Sequence, residues 1–238
     1  MTSSAPEAVA LRDNFVFKII PILNPDGVIN GNYRCSLSGQ DLNRRWKNPN
    51  KTIHPVIHTF KRYVRQFAKE REICLYVDLH GHSKRKNIFM YGNNLKDTPH
   101  ATRVFPYIMS KLCDFFSFEQ SRFSMSRYKE QTARVTMFKE LNIPNIFTMG
   151  ASFCGADKGS ISGNHFATEN FMLAGRKLLE SMLVYFKVNV KTGIRELKEK
   201  KEKTEDTQAP DDEEVLEPDL TYLTFDAQDL EKELKSNK

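Results

Sequence analysis

The sequence predicts an α/β protein with a mixed, mostly parallel central sheet flanked by helices. Short runs of bulky and β-branched residues (Phe15–Leu23, Ile73–Val77, Ile88–Tyr91, Asn145–Met149) alternate with helical repeats, the pattern of strands layered against helices. The run Ile73-Cys74-Leu75-Tyr76-Val77 is apolar without alternation, as expected of a strand buried on both faces. It ends in Asp78, His80, Gly81 and His82, and in open α/β sheets ligands gather just beyond such carboxyl ends.

Taken in order, Phe15–Leu23 reads as a strand with Pro21 marking an edge or bend. Asn24-Pro25-Asp26-Gly27 has turn chemistry at every position. Val28–Gln40, with Gly31 and Gly39, is a long loop of the kind that usually serves function; it carries Arg34 and leads into Asp41-Leu42-Asn43-Arg44-Arg45-Trp46. A helix starts near Thr52 or His54, with Pro55 in its first turn. Val56, Ile57, Phe60, Val64, Phe67 and Ala68 form its apolar stripe. Ile88–Tyr91 is a second strand, and Ala101–Phe116 a helix that Pro106 could kink. Ser117–Gln131 is polar and aperiodic. Thr132–Leu141 is a short helix stopped before Pro144, Asn145–Met149 a strand, and Phe171–Phe186 a long amphipathic helix.

The chain has 238 residues, 39% apolar and 28% charged, which suits one sizeable domain with a solvated extension. The expected division is a domain over residues 1–190 and a charged, largely disordered tail over 191–238. From Gly193 onward 8 basic and 15 acidic side chains occur, which leaves 28 basic and 15 acidic in residues 1–192. A basic body suits an acidic partner, although charge alone does not choose among nucleic acid, an anionic surface and an acidic peptide. No apolar run reaches the roughly eighteen residues of a membrane span. Cys35, Cys74, Cys113 and Cys154 show no metal-type spacing and read as free thiols, and the N-terminus has no secretory pattern. A cytoplasmic location is the expectation.

Several residues could carry chemistry. His80 is either a structural histidine at a strand end or a metal ligand or base, with Asp78 on the same strand face to orient its ring. His54 and His58 stand four apart on a helix, a metal-compatible spacing, but without an intervening Glu they read as a solvated pair. Arg44 offers a fork matched to a carboxylate, and the adjacent Asn43 amide offers another donor. Arg34 could place a cation over a developing oxyanion.

These residues fall in four motifs: NPDG; YRCSLSGQDLNRRW; YVDLHGHS followed by NIFMYG; and FTMGASFCG. As an ordered set they resemble the zinc carboxypeptidases, most closely the cytosolic branch that removes glutamates from tubulin and other acidic tails. The resemblance runs from about Asp13 to Phe186. It implies a carboxypeptidase-like fold, zinc as cofactor with His80 as a ligand, and Arg34 as the group that polarises the scissile carbonyl. It further implies that Asn43 and Arg44 clamp the substrate's C-terminal carboxylate, and that Lys129 and Arg134 receive an acidic side chain. The implied partners are acidic polypeptide C-termini such as tubulin tails, not membranes or nucleic acid. Two departures accompany it. The family's HxxE zinc pair precedes the NPDG turn, and no HxxE occurs in this sequence. The family's general-base glutamate, in FTMEASFCG, is here Gly150, which has no titratable group. The expectation is therefore a partial catalytic domain, its N-terminal part missing, without hydrolytic activity; the alternative is a non-catalytic binder of acidic C-terminal tails.

Overall fold

The structure is a computed structural model, and it describes residues 1–188. The anticipated tail lies outside the described residues. Contacts divide the described residues into two compact units, one of Met1–Lys18 with residues 170–188, the other of Ile19–Glu169. No helix among the described residues is long and apolar enough to cross a membrane.

The first unit contains α1 (Pro6–Asn14) and most of α6 (Thr168–Tyr185). Pro6 opens α1 at a position where its missing N–H costs nothing, and Ala8, Ala10 and Leu11 are buried. This helix has no strong apolar periodicity and was not legible in the sequence. Phe15 packs on Phe186 with ring centroids 5.2 Å apart.

The second unit is built on a three-stranded sheet in the order β1-β3-β2. Strand β1 (Tyr76–His82) runs parallel to β3 (Ile146–Ser152), and β2 (Ile88–Tyr91) runs antiparallel to it. Phe147 on β3 stacks on Phe105 of α4 (Val104–Leu112), centroids 5.7 Å apart. Helix α3 (Pro55–Glu70) contributes Ile57 and Val64 to a second cluster with Trp46, Met137 and Ile146. Met137 belongs to α5 (Ala133–Leu141), which starts on the Thr132 cap and ends on Asn142 in the left-handed region, φ 51°.

Four expectations need correction. Phe15–Leu23 forms no strand; a strand exists only with a ladder partner, and among the described residues none pairs with it, leaving Val16, Ile19, Ile20 and Ile22 exposed. The stretch from Pro25 is a short helix, α2 (Pro25–Ile29), because the Asn24 side chain accepts from the Gly27 N–H at 3.2 Å and so caps it. Strand β1 is not buried on both faces: it is the edge of the sheet, and Leu79 is 69% exposed. The helix expected over Ala101–Phe116 is shorter, with a 3-10 turn at Ala101–Arg103 and then α4; Pro106 falls in its first turn, where proline is tolerated.

Candidate active site

Strand pairing assembles one face of the sheet from residues far apart in sequence. Asp78, His80 and His82 on β1 lie in register with Thr148, Gly150 and Ser152 on β3. Phe89 on β2 pairs with Gly150 from the other side, so His80, Gly150 and Phe89 form one row. Alternation along β1 puts Asp78 and His80 on the same face, and the Asp78 carboxylate sits 3.0 Å from His80 Nδ1. Burial opposes charge on the His80 ring, but Asp78 more than offsets it, so the imidazole pKa is raised.

The Asp41–Arg45 turn closes on this row. Asp41 accepts from the Asn43 N–H at 2.9 Å, capping a 3-10 turn over Leu42–Arg44. That cap turns the Asn43 side chain toward the sheet. Its oxygen accepts from the Ala133 N–H at 2.9 Å, which leaves its amide nitrogen as donor to His80 Nε2 at 3.2 Å. Arg44 Nη1 donates to the Asn43 carbonyl at 2.9 Å. Arg34 reaches Asp41 at 3.4 Å, and Arg44 stands 4.0 Å from the same carboxylate. One carboxylate therefore serves two guanidinium groups. Lys129 is held below the usual lysine range, first by burial and then by Arg44, Arg134 and Arg34, with Asp41 acting the other way.

The structure thus brings Arg34, Asn43, Arg44 and His80 together, with Lys129 in their field. Arg134 stands differently. It is 4% exposed, and its guanidinium donates to the Gly92 carbonyl and to the Asn93 side-chain oxygen. Burial lowers its pKa to about 10. Gly150 lies beside His80 and presents no side chain; a Cβ there would lie 2.7 Å from Phe89 Cε2. Asp41 is the residue that sequence reasoning missed. Its place before the Leu42–Arg44 turn signalled a cap, but nothing local signalled its shared role between Arg34 and Arg44.

Zinc needs three or more convergent ligands. Among the described residues no group of three His, Cys, Asp or Glu side chains converges as a metal site. The residues described do not fit a three-ligand zinc centre. The His54–His58 pair also departs from expectation: His54 is 7% exposed, packed under the Asn50 loop whose N–H it accepts at 3.1 Å, so it is not solvated.

This α/β arrangement is that of known metallo-carboxypeptidases. A metallo-carboxypeptidase from Burkholderia cenocepacia superposes with a TM-score of 0.65 at 19% identity, over 77% of this chain and 48% of that one. One from Pseudomonas aeruginosa superposes at 0.60 and 22% identity, over 71% and 45%. The zinc carboxypeptidase family profile matches residues 1–142, and the chain belongs to that family. Similar curated proteins are cytosolic carboxypeptidase 3 of Bos taurus, 46% identical over 187 residues, and cytosolic carboxypeptidase 2 of Mus musculus, 46% identical over 185. The alignments take in 76% of this chain, which spans 18% and 21% of the two relatives' lengths.

Proposed function

We propose that this chain binds the C-terminal end of an acidic polypeptide, of which a glutamate-rich tubulin tail is the type, and does not itself cleave it. The observation that carries this reading is the cluster of Arg34, Arg44 and Lys129 beside His80, which has Asp41 as its shared counter-charge. Two forks and an ammonium around one carboxylate leave a surplus of positive potential, and an incoming carboxylate relieves it. Asn43 and Arg44 take the terminal carboxylate, Arg34 lies over the adjacent carbonyl, and Lys129 faces an acidic side chain. Arg134, buried, supports this charge through its field on Lys129 more than by direct contact.

Hydrolysis needs a base to take a proton from water, and Gly150 supplies none. That point supports binding without turnover.

The test titrates the chain with a polyglutamate-tailed peptide and with its C-terminally amidated form. The free acid is expected to bind tighter by about tenfold or more, the worth of a charge-assisted contact. Equal affinities would remove the carboxylate clamp. Zinc per protomer and glutamate release are measured on the same preparation. No release is expected; stoichiometric zinc with turnover abolished by His80→Ala would overturn the non-catalytic reading.

A further inference from the structure

A cavity of about 520 Å³ opens at the start of α3, walled by Gln40, Arg45, Lys47, Asn48, His54 and Gln131, with Ile53 as its apolar residue. It shares no side chain with the Arg34–Asn43–Arg44–His80 cluster. We propose that this cavity is a second anion site, which takes a small carboxylate or phosphate group.

Three independent features point to an anion. First, the wall carries two cations that form no salt bridge among the described residues. Arg45 donates through Nε (3.0 Å) and Nη2 to the neutral Gln40 side-chain oxygen, which orients the guanidinium without cancelling its charge. Lys47 feels Glu130, but that carboxylate is itself paired with Lys139 at 3.2 Å. Second, His54 is an unsatisfied donor. Its Nδ1 accepts from the Asn50 N–H at 3.1 Å, so the neutral ring carries its proton on Nε2, and Nε2 is buried with no partner among the described residues. Third, His54 is the N-cap of the sixteen-residue α3 and makes no side-chain cap, so the positive end of that helix dipole adds to Arg45 and Lys47. Taken singly, solvated charges would explain Arg45 and Lys47. Together with an orphan imidazole donor and amide donors on Gln40, Asn48 and Gln131, they form a set that an oxyanion would complete.

Trp46 provides the readout. It is the single tryptophan of the chain, is 1% exposed, and stands between Arg45 and Lys47. Its fluorescence in the full chain is titrated with inorganic phosphate and, separately, with glutarate at constant ionic strength. A saturable change with at least one of them is expected. Whichever binds tighter identifies the group as phosphate-like or carboxylate-like. Arg45→Gln and Lys47→Gln each should weaken binding by about tenfold, the loss of one charge-assisted contact. Lys96→Gln, which removes the same charge from an exposed loop residue outside the cavity, should leave it unchanged. Lys47 is exposed, so its substitution keeps the test valid if Arg45→Gln does not fold. No saturable response to either anion overturns the proposal, as does equal weakening by Lys96→Gln.

Discussion

Asn43 links three parts of the site with one amide. Its oxygen takes the Ala133 N–H at the start of α5, its nitrogen faces His80, and its backbone N–H is taken by Asp41. Asn43→Ala leaves the α5 donor without its acceptor and should cost about 1–3 kcal/mol, the usual cost of an orphaned polar group, read from urea denaturation. An unchanged midpoint would mean that water replaces the amide. Gly150 presents the opposite situation, a space already filled. A Cβ there would meet Phe89 Cε2 at 2.7 Å and Cζ at 2.8 Å, and Phe89 is fully buried with its ring 5.1 Å from that of His82. Gly150→Ala should therefore destabilise by about 1–3 kcal/mol through overpacking. Adding Phe89→Leu should recover part of that loss, and a double-mutant cycle measures the coupling. Additive effects would show that the ring moves aside freely.

Among the elements, α3 and α5 are joined by a buried charge. Lys61 is 2% exposed and donates to the Trp46 and Lys47 carbonyls at 2.6 and 2.9 Å and to Glu140 at 2.8 Å, while Arg65 holds the second Glu140 oxygen at 2.7 Å. The Lys61 side chain is buried and its ammonium satisfies three acceptors, so Lys61→Met, of similar length, strands the acceptors. A loss of about 3 kcal/mol is expected from equilibrium unfolding, the range for breaking a buried pair. The start of α3 adds a pH dependence. His54 is held below its ordinary pKa, first by burial and then by Arg45. The unfolded chain then takes up the proton before the folded one as pH falls. This contribution to stability is complete above the ordinary histidine value of 6.5 and is lost progressively below it. Unfolding free energies between pH 8 and 5 should fall less steeply in His54→Gln than in the parent; equal slopes would remove His54 as the cause.

At the scale of the molecule, the exposed edge of β1 is the dominant feature. Leu79 is 69% exposed on that strand, and Ile19, Ile20 and Ile22 of the same unit are exposed as well. An edge strand that is unpaired among the described residues and carries exposed apolar side chains favours strand addition between chains. The chain should self-associate as concentration rises, and Leu79→Lys, a charge placed on the edge, should reduce the association seen by sedimentation velocity. Identical sedimentation of the two proteins would show that the edge is not the contact. The surplus charge around His80 also belongs to this scale, because it sums over Arg34, Arg44, Lys129 and Arg134 from two segments of the chain.

Much of the molecule was legible in the chain itself. The strand at Ile88–Tyr91, the first half of Ile146–Ser152 (expected to end at Met149), helix α3 and helix α6 follow from local periodicity, which needs no knowledge of partners. The family, and the gathering of Arg34, Asn43, Arg44 and His80, were carried by ordered motifs whose spacing and chemistry are written in the residues. Gly150 was equally plain, because the absence of a side chain needs no structure to see. Tertiary structure alone decided that, among the described residues, Phe15–Leu23 finds no ladder partner and β1 is an edge, that His54 is buried and that the Arg134 guanidinium is turned inward. Pairing and desolvation depend on residues distant in sequence. The same apolar stretch becomes a strand or an exposed segment according to what lies beside it, and the same cation is a ligand or a structural support according to which carbonyls it meets.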